Sequence, residues 1–255
     1  MLVATLVGAE ADAHEHERRT SSIAESAEVP ADPDGTVEAF TAGSAAGLLS
    51  LPPGPADRRL PAVIILHDSL GADGRSAAYI DQLIGAGIAV LDLVEDPLDE
   101  AAEVVAALAA HPRIARQPLG VLGFGAGARR AATLRATLAA RALLYPGCAA
   151  LPFAPMPREP VLLVNPSAGL PPDTAPECAR LVEGLRGAGA DIRTKTYPGA
   201  GYAWDYPAYG VEGVFRLPLA DGSRRVRVEP RRDLAALSAT DVAGFFAASL
   251  LAPRR

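Results

Sequence analysis

An open, mostly parallel α/β sheet is the fold class this sequence predicts, and three observations predict it. Apolar runs of four to six residues are each followed by a segment of helical spacing. The apolar runs are continuous rather than alternating, as expected for strands covered on both faces. With 255 residues and 49% hydrophobic composition, the chain can bury one large core. No internal repeat and no second-domain linker interrupts the pattern.

Residues 1–28 read as a flexible leader. Leu2 to Gly8 is apolar and Ala11-Asp12-Ala13 has the small residues of a cleavage site, but a basic n-region is missing. Cytoplasmic is therefore the default location, with export the alternative if residues 1–13 are the remnant of a signal peptide. His14-Glu15-His16-Glu17 reads as a polar tail rather than a metal site. Residues 29–255 are expected to form a single domain.

Thr36 to Phe40 and Ala45 to Leu51, flanked by Asp34-Gly35 and Pro52-Pro53-Gly54, predict an antiparallel edge at the N-terminal end. The core strands follow as Ala62 to Leu66, Ile88 to Leu93, Leu119 to Leu122, Ala142 to Leu144, Val161 to Val164 and Ile192 to Thr196. Helices are expected over Ser76 to Gly85, Leu98 to Ala110, Ala126 to Ala140, Ala175 to Arg186 and Asp233 to Leu250, on both faces of the sheet. Val226 and Val228, set among Arg224, Arg225, Arg227, Arg231 and Arg232, fit a strand with one solvated face.

Charge and cysteine content narrow the function. Net charge is −6 and Lys195 is the only lysine among 24 basic residues, so a nucleic-acid surface is not expected. No uninterrupted apolar stretch approaches the roughly 18 residues of a membrane helix, so no membrane partner is expected. Two cysteines, Cys148 and Cys178, exclude a disulfide scaffold and a cysteine-built zinc site. No metal and no cofactor are expected, and the oligomeric state is left open.

In such a sheet, ligands bind beyond the carboxyl ends of the strands. The residues there are His67-Asp68-Ser69, Glu95-Asp96, Gly123 to Gly127, Tyr145 to Cys148, Asn165 to Gly169 and Gly201 to Asp205. Gly123-Phe124-Gly125-Ala126-Gly127 follows a strand and opens a helix, the context of a GxSxG nucleophile elbow. Its central residue is glycine, which has no nucleophile to offer.

PAVIILHDSLG (Pro61 to Gly71), GVLGFGAG (Gly120 to Gly127), ALLYPGC (Ala142 to Cys148) and TYPGAGYAWD (Thr196 to Asp205) stand in order and at the right spacing. Together they resemble the dienelactone hydrolase family over roughly Asp34 to Leu250. The resemblance implies an α/β-hydrolase fold and a Cys or Ser, Asp and His triad acting on esters and lactones. Carried over residue by residue, the nucleophile falls on Gly125, the histidine on Tyr202, and the acid within Asn165 to Leu170, which holds no carboxylate; Asp173 is the alternative. The family's carboxylate-binding arginines have no evident counterparts, with Tyr206 near one of their positions. A member that has lost its triad is what the resemblance implies.

The backbone amides of Ser69 and Ala126 stand at the oxyanion-hole positions. Asp68 matches a family acid that faces the nucleophile, and would here face the space vacated at Gly125. It is expected as a proton shuttle or, equally, as a capping acid before the Ser76 helix. Tyr202 is expected as a hydrogen-bond donor. His67, Phe124, Tyr145, Cys148 and Trp204 are expected as pocket walls, and Cys178 as inert.

The leading expectation is a non-hydrolytic enzyme acting non-covalently on a small carbonyl compound, such as a natural-product intermediate. Cyclisation, isomerisation, elimination or a related rearrangement would be its reaction. A pseudoenzyme binding a ligand or protein partner is the alternative, favoured by a closed pocket filled by Tyr202 and Trp204. A hydrolase with a relocated nucleophile at Ser69, Ser167 or Cys148 and His67 as base is the third.

Overall fold

The computed structural model describes residues 31–32, 35–95, 101–116, 119–149, 151–152, 159–167, 175–207 and 215–251. The leader at residues 1–28, with its two histidines, lies outside the described residues, as do Asp96 and Asp173. In chain order the elements are β1 (Ala31–Asp32), β2 (Thr36–Ala42), β3 (Ala45–Leu51), β4 (Gly54–Pro55), β5 (Ala62–Leu66) and α1 (Ala77–Gly85). Next come β6 (Ala89–Glu95), α2 (Ala101–Ala110), β7 (Leu119–Phe124), α3 (Ala126–Thr133), β8 (Leu138–Leu144) and β9 (Pro160–Pro166). The last are α4 (Ala175–Gly187), β10 (Asp191–Tyr197), β11 (Phe215–Pro218), β12 (Arg225–Val228) and α5 (Arg232–Leu250).

Eight strands form one sheet in the order β10-β9-β8-β7-β5-β6-β3-β2. Strands β5 to β10 pair in parallel, whereas β2, β3 and β6 pair antiparallel and build the predicted edge. Two apolar layers sandwich this sheet. One holds Tyr79, Leu83, Val242 and Phe246 from α1 and α5. The other holds Val104, Leu108, Ala128 and Ala131 from α2 and α3, with Val182 and Leu185 from α4. Continuous burial along β5, β7 and β9 therefore follows from cover on both faces.

Several element boundaries depart from expectation, β2 and β7 each running two residues further, to Ala42 and Phe124. The helix expected to reach Ala140 ends at Thr133, and Leu138 to Arg141 join β8. Alanines favour a helix locally, but Leu138, Ala140 and Arg141 here pair with Leu119, Gly120 and Val121 of β7, and the ladder prevails. Strand β6 runs to Glu95, beyond the expected Leu93, because β3 pairs with it as far as Ala46 opposite Glu95. Strand β12 alternates as expected, with Val226 and Val228 buried, and its partner is β11.

The cysteines correct a further expectation: Cys148 and Cys178 form a disulfide, 30 residues apart. Two cysteines do not make a disulfide-dense domain, but they can make one bridge. The bridge ties the loop after β8 to the first turn of α4. Helix α5 is 19 residues long and apolar enough to cross a membrane by length and composition. Leu234, Ala239, Val242, Ala243, Phe245 and Phe246 are instead buried in the core of this fold.

Candidate functional site

The elbow is present as geometry. Gly125 has φ +50° and ψ −113° and leads from β7 into α3. Glycine adopts this backbone without steric cost, whereas an L side chain is strained there. Gly127 is required for a different reason: a Cβ there would collide with the carbonyls of Leu66 and His67, where α3 meets the end of β5. That close approach brings the start of α3 next to the turn after β5, which carries Asp68 and Ser69.

Asp68 fills the resulting space. A Cβ on Gly125 would lie within 2.5 Å of both carboxylate oxygens and the Cγ of Asp68. One oxygen, Oδ1, accepts hydrogen bonds from the backbone N–H of Ser69 at 2.8 Å and of Ala126 at 2.9 Å. These are the two amides expected to form an oxyanion hole, and they hold the chain's own carboxylate. The other oxygen, Oδ2, accepts from Arg75 Nη1 at 3.2 Å and from the Tyr202 hydroxyl at 3.0 Å. Four donors thus satisfy one carboxylate that is 5% exposed.

A polar network continues inward from Arg75. Its Nη1 also donates to the Tyr145 hydroxyl at 3.1 Å, and its Nε is held by Asp73 at 2.9 Å. Burial opposes the charge on Arg75, but Tyr145, Asp73 and Asp205 outweigh it and hold the guanidinium firmly protonated. Tyr145 and Tyr79 each donate to Asp205, both at 2.7 Å, and Tyr79 shares a 2.7 Å hydrogen bond with Ser238. Trp204 Nε1 donates to the same Ser238 oxygen at 3.3 Å. Burial raises the Asp205 carboxyl above its ordinary value, against the pull of Arg75 and both tyrosines. Burial likewise raises the Tyr202 phenol, and the neighbouring Asp68 charge adds to it. A phenol so placed donates its proton in a hydrogen bond and does not act as a base.

Strain marks the same region. Among the described residues, Tyr145 and Ala203 are the non-glycine residues with positive φ, at 42° and 49°. Each sits in a turn that delivers an aromatic to the network, and such strain persists only where surrounding contacts enforce it. The rings of Tyr145 and Tyr202 meet edge to face at 5.1 Å, and those of Tyr145 and Trp204 at 5.0 Å. Tyr145, Tyr202 and Trp204 are all buried. The cavity that borders Tyr145 and Tyr202 measures about 10 Å³, no more than the space of about one water molecule.

The expected site residues separate into two groups. Asp68, Ser69, Gly125, Ala126, Tyr145, Tyr202 and Trp204 come together at this centre. His67 turns aside: its Nε2 meets Asp92 Oδ1 at 2.6 Å, while Ser76 Oγ donates to the other Asp92 oxygen at 3.0 Å. Its ring stacks at 6.4 Å from Phe124, and its buried Nδ1 has no partner. Cys148 is not a wall of this centre but half of the disulfide. Arg75, Tyr79, Asp92 and Ser238 were not among the expected site residues. Arg75 lies in the turn before α1, a position that helix patterning treats as solvent-facing, and only its 3% exposure reveals it.

A mostly parallel eight-stranded sheet, a strand-turn-helix elbow and an amide pair beside it define the α/β-hydrolase fold. Solved structures agree. A dienelactone hydrolase from Anabaena variabilis ATCC 29413 superimposes with a TM-score of 0.56 at 18% identity, over 86% of this chain and 99% of that one. The dienelactone hydrolase-like promiscuous phosphotriesterase P91 from metagenomic libraries gives 0.59 at 15% identity, over 84% and 98%. An esterase from Rhizomucor miehei gives 0.58 at 16% identity, over 84% and 83%. No family model and no curated protein sequence matches the chain.

Proposed function

We propose that this chain is a non-hydrolytic binding protein on an α/β-hydrolase scaffold, a pseudoenzyme whose former reaction centre is locked shut. One observation carries the reading: the Asp68 carboxylate occupies both the nucleophile's space at Gly125 and the pair of amides that would receive a substrate oxygen. Acyl transfer needs a nucleophile on that turn and an empty hole. Neither is offered by Gly125 and Asp68. Ligand-sized space lies beside the Asp68 carboxylate rather than at it: a cavity of about 490 Å³ lies between α4 and the ends of β9 and β10, and one of about 370 Å³ borders Arg75, Trp204 and Asp205. A small molecule bound there, or a protein partner, is the expected ligand. The disulfide supports the exported alternative over a cytoplasmic location, because such bonds persist in oxidising compartments.

The test is turnover of p-nitrophenyl esters and lactones, with labelling by a fluorophosphonate. No turnover and no labelling are expected. Turnover that disappears in Asp68→Asn would refute the reading.

A second reading has its own support. Asp68 Oδ2 and the Tyr202 hydroxyl lie 3.0 Å apart beside the two amides, a proton shuttle and a hydrogen-bond donor suited to non-covalent rearrangement of a carbonyl compound. Asp68 would first have to swing out of the hole to admit the substrate oxygen. Rearrangement of such a compound that survives in both Asp68→Asn and Tyr202→Phe removes those roles. A relocated hydrolase gains no such support, since Asp92 engages His67 and the disulfide consumes Cys148.

A further inference from the structure

The two sulfurs of the disulfide are unequal. Cys148 is buried, at 5% exposure, whereas Cys178 is half-buried and lines the cavity of about 490 Å³. Asn165, at the end of β9, directs its side-chain N–H toward both, at 3.3 Å from Cys148 Sγ and 3.5 Å from Cys178 Sγ. Arg186 and Lys195 also line the cavity, with Glu183 as the opposing charge and Ser167, Thr194 and Thr196 as hydroxyls. Lys195 is paired with Asp241 and is 39% exposed along its side chain.

We propose that Cys148–Cys178 is an exchangeable disulfide, with Cys178 the site of S-thiolation by a small carboxylate-bearing thiol and Cys148 the leaving group. The accessible sulfur decides which atom is attacked, because exchange requires the incoming thiolate to reach one sulfur directly. Cys178 borders the cavity of about 490 Å³, which is large enough to hold the attacker, and Cys148 is not among the described residues that line it. The thiolate forms a bond to Cys178 Sγ as the Cys178–Cys148 bond breaks. The electron pair leaves on Cys148 Sγ, which becomes a thiolate and then takes a proton from water. The incoming sulfur is oxidised to the disulfide level and Cys148 is reduced, with no other oxidant required. The Asn165 N–H at 3.3 Å stabilises the charge that develops on Cys148. Arg186 is the cation on the cavity wall that would meet a thiol carrying carboxylates, since Lys195 is already engaged by Asp241. Opening the bond frees the first turn of α4, the wall of the cavity, from the loop after β8. Thiolation thus couples redox state to the shape of a ligand-sized pocket. This inference is independent of whether the Asp68 centre is catalytic.

The test incubates the folded, oxidised protein with reduced glutathione or with cationic 2-mercaptoethylamine at one pH. Free thiols are trapped with iodoacetamide, the adducts are mapped by peptide mass spectrometry, and circular dichroism is followed in parallel. Glutathione on Cys178 and carbamidomethyl on Cys148 are expected while the fold persists, with glutathione faster once rates are corrected for thiolate content. Asn165→Ala should slow opening roughly tenfold through loss of one hydrogen bond to a charged leaving group. Cys148→Ser supplies a control that leaves Asn165 in place: its Cys178 should accept glutathione from the oxidised form, and Cys148 in Cys178→Ser should not. Opening that occurs only as the fold is lost, or glutathione carried by Cys148, overturns the proposal.

Discussion

A methyl group at Gly125 is the sharpest perturbation of the Asp68 centre. The added Cβ would lie within 2.5 Å of the Asp68 carboxylate, so Asp68 must leave its place between Ser69 and Ala126. Each hydrogen bond to a charged group contributes about 1.5–3 kcal/mol. The left-handed backbone adds about 1–2 kcal/mol for any L residue. Gly125→Ala should therefore cost about 4 kcal/mol at the lower end of those ranges. In an Asp68→Ala background only the backbone cost of about 1 kcal/mol remains. The coupling between the two positions is then about 3 kcal/mol. Urea denaturation followed by circular dichroism on the wild type, both single variants and the double variant measures it. At about 2–4 °C per kcal/mol for a chain of this size, the single Gly125 variant should melt roughly 10 °C lower. An equal penalty in both backgrounds would refute the placement of Asp68 against Gly125.

Three further outcomes are expected. Tyr202→Phe leaves Asp68 with three donors and should cost about 1–2 kcal/mol in urea unfolding, without exposing the core to a hydrophobic dye. Asp205 has a folded carboxyl raised above its ordinary value of 3.8, so the folded state binds its proton more tightly. Its contribution to stability is greatest below pH 3.8 and is lost as pH climbs from there through the raised folded value. Asp205→Asn should remove that fall, and a pH series of unfolding free energies for both proteins checks the sign. On the opposite face of the sheet, Arg141 Nε meets Glu159 Oε1 at 2.7 Å, both side chains being 2% exposed. Arg141→Met should cost about 3–5 kcal/mol by stranding the glutamate, whereas Arg141→Met combined with Glu159→Leu should approach wild-type stability.

Much of the fold was legible because burial on both faces writes itself into a sequence as unbroken apolar runs. Ala62 to Leu66 and Val161 to Val164 are examples, and both are strands. Asp68, Gly125 and Tyr202 were legible because strand ends in such a sheet converge, so residues far apart in sequence could be assigned to one centre. That Asp68 would turn into the amides and satisfy them was not legible, since a side-chain rotamer follows from neighbours that sequence does not order. Arg75 escaped because it lies in the turn before α1 and not at a strand end, although its partners Asp68 and Tyr145 stand at such ends. The Cys148–Cys178 bridge was missed because two cysteines show no periodicity, and only the folded distance between the loop after β8 and α4 pairs them. The end of α3 was misjudged where a parallel ladder outcompeted alanine's helical preference.

The two rims of the sheet differ in a way that bears on colloidal behaviour. Strand β10 closes one rim with exposed Asp191 and Arg193 and with Lys195, the only lysine in the chain. Charged side chains of this kind discourage edge-to-edge annealing of strands. Strand β2 closes the other rim with Val37 at 67% exposure, and its one acid, Glu38, is drawn toward His111 at 3.2 Å. Among the described residues no strand pairs with the outer side of β2, so that rim invites edge-to-edge annealing, and a lysine at position 37 would oppose it where a stabilised core would not.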